Sequence, residues 1–172
     1  MEVAPRRCGG GLSEVERERA AEFMEALHRA QECLYAGGAV DPVRSLLCRD
    51  VVWHVPGRTP IAGDHQGIEN VIGYMLRRRD VADRTLRLHR RELLVGEGEH
   101  FAALTDGSAV IAGRAREWST IGLYRLRGER LAECRLMPFD QTDFDSIWNG
   151  EGAPDGGKDR GAEPGGARRG GR

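Results

Sequence analysis

Few residues of this chain can move a proton near neutral pH. Five histidines, His28, His54, His65, His89 and His100, titrate there without assistance. Their spacing fits no metal-ligand pattern, so no metal site is expected. His54 lies inside the run Val51-Val52-Trp53-His54-Val55 and can serve as an acid or base from a strand, or be a satisfied buried histidine. His100 opens a later apolar run and is placed to reach a pocket. His89 sits among Arg87, Arg90 and Arg91, which reads as a solvated face. His28 falls on a helical stretch and His65 in a loop beside Asp64. Asp140 follows Met137-Pro138-Phe139. A carboxyl desolvated among Met137, Phe139 and Trp148 would have a raised pKa and suit proton transfer beside a carbonyl. The same aspartate is equally suited to cap the segment Gln141–Trp148. Arg135, between Cys134 and Leu136, can polarise a carbonyl or bind an anion if it points inward, or pair with Glu117 or Glu133 if it does not. Arg58 and Asp64 either rim an entrance or are ordinary loop polarity.

The remaining reactive types exclude more than they suggest. Cys8, Cys33, Cys48 and Cys134 form no C-x-x-C pair, and the three inner ones read as small buried hydrophobes in a reducing compartment. There is no G-x-S-x-G elbow, Gly9-Gly10-Gly11 lacks the Lys-Ser/Thr of a phosphate loop, and no dinucleotide fingerprint opens a helix after a strand. No cofactor is expected.

These side chains need a scaffold, and 172 residues with 40% hydrophobic content supply one domain. Lys plus Arg number 26 against 27 Asp plus Glu, a net charge of −1, so there is no global field for nucleic acid or an anionic membrane. Charged residues make up 31%, no apolar run reaches about 18 residues, and the first twenty residues lack a signal-peptide core. A cytoplasmic protein is expected. Residues 1–12 read as a flexible leader and 149–172 as a disordered tail. The tail holds nine of the 24 glycines and no Leu, Ile, Val or aromatic residue.

Between these ends, Ser13 and Glu16 fit a capping box, and Phe23, Leu27, Ala30 and Leu34 share one helical face up to Gly37-Gly38. Asp41-Pro42 reads as the cap of a short helix through Leu46 and Leu47. The strand Val51–Val55 and a loop over 58–66 lead to a third helix, with Ile68, Val71, Ile72, Met75 and Leu76 at helical spacing and Arg77-Arg78-Arg79 at its dipole-favoured end. Four strands follow: Leu86 to Val95, His100 to Ile111, Trp118 to Leu126, and Leu131 to Met137. Helices first and an antiparallel sheet after predict an α+β domain.

That order, with DVVWHVPGRTPIAGDHQGIENVIGYM at 50–75, LYRLRGERLAEC at 123–134 and MPFDQTDFDSIW at 137–148, resembles the nuclear transport factor 2-like superfamily. Within it the chain looks most like the SnoaL-like polyketide cyclase and ketosteroid isomerase-like branch, over roughly residues 15–148. The resemblance implies a cone-shaped α+β barrel, in which three N-terminal helices pack on a curved sheet around an apolar pocket, and a homodimer through the outer sheet face. It implies a cofactor-independent cyclase or isomerase acting on an apolar, polyketide-like metabolite. Asp140 best matches the acid/base aspartate of the SnoaL-like cyclases, and His54, His100 and Arg135 would assist. Trp53, Tyr74, Met75, Trp118, Met137 and Trp148 would hold the substrate. The chain departs from the steroid isomerases, whose base is an aspartate just before the proline; here Val55 precedes Pro56. It also lacks the R-x-D of the limonene-epoxide hydrolases at the matching position. An epoxide-opening enzyme and a non-catalytic binding or dimerisation module remain alternatives, since the fold hosts all of these.

Overall fold

The computed structural model describes residues 14–96 and 99–150. The leader and all but the first two residues of the tail lie outside this range. The elements are α1 (Glu14–Tyr35), α2 (Asp41–Ser45), β1 (Leu47–Val55), β2 (Gly63–Gln66), α3 (Ile68–Val81), β3 (Arg87–Val95), β4 (His100–Ile111), β5 (Arg114–Arg127), β6 (Arg130–Pro138) and α4 (Gln141–Trp148). One six-stranded sheet has the order β2-β1-β6-β5-β4-β3. Only the β1–β6 pair is parallel. This is the expected α+β cone, with α1 and α3 packed against each other and on the sheet.

Strand alternation sorts the side chains. On β5, Trp118, Thr120, Tyr124 and Leu126 are buried toward the helices, while Ser119, Ile121 and Leu123 face away. On β4 the inward set is Phe101, Ala103, Thr105 and Ala109. Register shifts between Arg90 and Glu92 on β3 and between Arg125 and Leu126 on β5 mark the irregularities that let the sheet bend. Two glycines make room for large rings on the inner face. A Cβ on Gly107 would lie 2.3 Å from the Trp118 indole across the ladder, and one on Gly122 would lie 2.4 Å from the Tyr124 hydroxyl.

Several local expectations need correction. The loop over 58–66 contains β2, whose residues Gly63–Gln66 pair with Val52–Val55 of β1. Its sequence, Gly-Asp-His-Gln, has no β-branched residue, so pairing with a neighbour rather than propensity makes it a strand. The N-cap of α2 is Val40, not Asp41; Asp41 instead places its charge in the first turn, next to Pro42. Cys33 is exposed, because it lies in an open groove between α1 and α2, whereas Cys48 and Cys134 are buried. Asn149 and Gly150 complete the C-terminus of α4. Among the described residues, no helix is long and apolar enough to cross a membrane.

Candidate functional site

Helices α1 and α3 and strands β1, β3, β4, β5 and β6 surround a cavity of about 20 Å³, lined by His28, Gln31, Trp53, Arg78, Leu88, Thr105, Trp118, Thr120, Tyr124 and Leu136. That is room for about one water. Its most unusual member is Arg78. On α3 the buried residues Val71, Tyr74, Met75 and Arg78 stand at i, i+3, i+4 and i+7, so the arginine occupies a core position. It is 4% exposed. Among the described residues no carboxylate pairs with it. Its NH1 group donates to the Tyr35 hydroxyl at 3.1 Å. Its guanidinium carbon lies 5.5 Å from the Tyr35 ring, 5.6 Å from the Tyr74 ring and 5.0 Å from the Trp148 ring. Burial opposes the charge, Tyr35 and Tyr74 favour it, and the balance holds the guanidinium above its ordinary value.

Around this cation, polar hydrogens lack partners. Arg78 Nε, Trp53 Nε1, Trp148 Nε1 and Thr105 Oγ1 are buried without a hydrogen bond, while the Tyr74 hydroxyl oxygen faces the Arg78 guanidinium. An arginine or indole nitrogen can only donate, and a phenol or alcohol can donate as well. Each buried group left unsatisfied costs about 1–3 kcal/mol. A cluster of such donors around a cation suits an acceptor, above all an anionic oxygen.

The aromatic walls are held from behind. His65, on β2, stacks on Tyr74 with ring centroids 4.7 Å apart, and its Nε2 lies 3.0 Å from the Ile61 carbonyl, to which it donates. Tyr124 stacks on Phe101 at 5.2 Å, and Trp118 meets Trp148 edge-on at 5.1 Å. Burial pushes the Tyr74 and Tyr124 hydroxyls up, which keeps both phenols protonated at neutral pH.

His28 closes the cavity on the α1 side. Met24, His28, Gln31 and Tyr35 share one helical face, and the imidazole lies between the inner cavity and an outer pocket of about 370 Å³ between α1 and β3. Burial, then the charges of Arg90 and His89, lower its pKa to about 4, so it is neutral at physiological pH.

The structure separates the sequence candidates into two groups. Trp53 and Trp118 line the cavity, and Tyr74, Met75 and Trp148 are buried around it. Met137 is exposed on the outer face. Asp140, His54, His100 and Arg135 are not brought together inside the cone. Asp140 is an exposed N-cap that accepts from the Asp143 N–H at 2.9 Å. His54 faces outward, with Nδ1 2.6 Å from Asp64 and Nε2 3.3 Å from Glu133. Arg135 is also on that face, 2.9 Å from Glu133. Burial raises Glu133, but Arg125 and Arg135 outweigh it and leave the carboxyl below its ordinary value. His100 is exposed at the start of β4.

Arg78, Gln31, Thr105, Thr120 and Tyr124 line the cavity without having been selected from the sequence, and His28 had been placed on a helix without a role. Arg78 was hidden in a run of three arginines at a helix end, where the dipole explains all three. The usable signal was its i+7 spacing from Val71. For His28 the signal was its i+4 spacing from Met24, on the face continued by Gln31 and Tyr35.

With this geometry in view, comparison with known structures gives one answer. A candidate SnoaL-like polyketide cyclase from Jannaschia sp. CCS1 superposes with a TM-score of 0.65 at 16% identity, covering 82% of this chain and 98% of that one. A nuclear transport factor 2-like protein from Burkholderia xenovorans LB400 gives 0.60 at 15%, covering 77% and 97%. The chain has the nuclear transport factor 2-like fold. TerC, co-crystallised with polyporic acid, shares this fold at 0.62 and 16% identity, over 75% of this chain and 97% of that one. No protein-family model and no curated protein sequence matches. Identities this low carry the fold and not the chemistry.

Proposed function

We propose that this nuclear transport factor 2-like chain is a cofactor-independent acid–base enzyme of the cyclase or isomerase kind. Its substrate is a small molecule whose carbonyl or acidic oxygen takes the one-water space against Arg78 while its body occupies the outer pocket of about 370 Å³ between α1 and β3. The carrying observation is the buried guanidinium without a carboxylate, amid unpaired donors. An isolated buried charge costs several kcal/mol. Contact with three rings offsets part of that, at up to about 2 kcal/mol for a desolvated cation–π pair. An oxyanion in the same space would offset more, and it is the species that forms when a proton leaves the carbon beside a carbonyl. The SnoaL-like neighbour and the acid bound by TerC are consistent with this ligand class by analogy of fold.

Two probes test it. In D₂O, wild type should exchange the C2 protons of 1-phenylbutane-1,3-dione faster than buffer, and 4-nitrophenol should bind with the absorbance of its phenolate. Arg78→Gln should weaken phenolate binding and slow exchange about 10²–10³-fold, the usual worth of one oxyanion donor. Wild type no faster than buffer, or a variant equal to wild type in both measurements, would sink the reading.

A further inference from the structure

We infer that His28 is the residue that takes and returns the proton at the Arg78 cavity, an inference that rests on the acid–base reading of that cavity. Of the side chains lining the cavity, His28, Arg78 and Tyr124 can ionise. A guanidinium does not give up its proton in a protein. Tyr124 is pushed well above the ordinary phenol value by burial and stays protonated. That leaves the imidazole as the group able to accept a proton.

Its position adds to the argument. The inner cavity and the outer pocket between α1 and β3 share two residues, His28 and Leu88. A second surface groove, of about 500 Å³, shares Leu88 and Trp118 with the cavity. It is the poorer route, because Leu88 and Gly107 are cross-strand partners there and the ladder of β3 and β4 closes the wall. Between α1 and β3 the shared wall is made of the His28 and Leu88 side chains, beside a hydrogen bond that Arg90 NH1 donates to the Ala21 carbonyl at 3.4 Å, and side-chain rotation opens it without parting the strands. A molecule arriving that way passes the imidazole before its oxygen meets Arg78.

The step balances without a co-reactant. The C–H bond beside the carbonyl breaks and its proton forms an N–H bond on the imidazole. The C–H electron pair becomes a C=C bond, and the carbonyl π pair moves to the oxygen held by Arg78. Return of the proton to the same carbon gives exchange; return to the far carbon of a conjugated ketone moves the double bond.

The electrostatics of the threshold favour this cycle. Arg90 of β3 acts most on His28, with His89 beside it, Arg78 of α3 lines the same cavity, and Glu25, Arg29 and Glu32 of its own helix line the outer pocket. Burial, with Arg90 and His89 of β3 adding to it, keeps the free imidazole neutral. An oxyanion on Arg78 adds negative charge to the cavity and stabilises the imidazolium as it forms.

The experiment pairs exchange with binding. His28→Asn should slow C2 exchange of 1-phenylbutane-1,3-dione about 10²–10⁴-fold, the usual worth of a positioned base. Binding of 4-nitrophenolate should stay within about twofold of wild type, which also shows that the variant folds. The wild-type exchange rate should rise through about pH 4, and the variant's should lack that rise. NMR of the labelled His28 ring in wild type gives a readout free of substitution, because its titration should move to higher pH when 4-nitrophenolate is bound. Exchange retained in His28→Asn, or a ring titration that bound phenolate does not move, overturns the assignment. Phenolate binding that Arg78→Gln leaves unchanged overturns instead the Arg78 reading beneath it.

Discussion

At the scale of single residues, the side chains best placed by sequence for proton transfer do other work. Asp140 spends one carboxylate oxygen on the Asp143 N–H and lies open to solvent. Asparagine caps a helix about as well as aspartate. Asp140→Asn should therefore cost no more than about 1 kcal/mol in thermal or urea unfolding and leave dione exchange unchanged; a loss of exchange above tenfold would return this aspartate to the chemistry. His28 gives a second residue-level expectation, in stability. The unfolded chain protonates this imidazole as pH falls below about 6.5, and the folded chain only near 4. Between those values the unfolded state holds more protons, so stability declines as pH falls across the window and the decline ends below it. The shift corresponds to roughly 3 kcal/mol at full effect, less for the ring's partial exposure. Urea unfolding of wild type and His28→Asn from pH 4 to 7 should show a steeper slope in the first, since His65, also lowered by burial, contributes to both.

At the scale of elements, the site depends on two helical faces and two glycines. Arg78 reaches the interior because α3 presents Val71, Tyr74, Met75 and Arg78 on one side, and Tyr74 keeps its tilt because β2 brings His65 against it. On the sheet, Trp118 lies over Gly107. Gly107→Ala would place a methyl group inside that indole and force the ring or strand to shift, at about 1–3 kcal/mol. Thermal unfolding should record a drop of several degrees, and tryptophan fluorescence a change in the Trp118 environment. A variant as stable as wild type would mean that the ring has room to slide and that the cavity wall is softer than its packing implies.

At the scale of the whole molecule, the outer sheet face is apolar in patches. Leu94 is 50% exposed, Met137 44% and Leu123 37%, with Ile121 and Leu104 between them partly covered. A second copy of the chain on this face remains our proposal for what covers it. Beside the apolar patch, Glu133 joins His54, Arg125 and Arg135 in a charged network. Light scattering at micromolar concentration should give twice the chain mass, and Leu123→Glu with Met137→Glu should give the single mass with phenolate binding intact. A wild-type monomer would remove the proposal.

The helices, the strands and the α+β class were legible in the chain itself, because their information is local and periodic, whereas the cone came from the family resemblance. The face of Phe23, Leu27, Ala30 and Leu34, the spacing from Val71 to Met75 and the alternation through β4, β5 and β6 each repeat a period that backbone geometry imposes. A short strand such as β2 carries no such period, and only its register against β1 makes it one. The site was legible in part for the same reason. Trp53 and Trp118 stand on the inner face by strand alternation, but alternation alone does not say which face is inner, and His54 fell on the other. Whether Asp140 meets solvent or an apolar wall depends on where α4 docks. Whether Arg78 ends a helix in water or stands among three rings depends on how α3 leans on α1 and the sheet. Those are contacts between residues far apart in sequence, and folding alone brings them together.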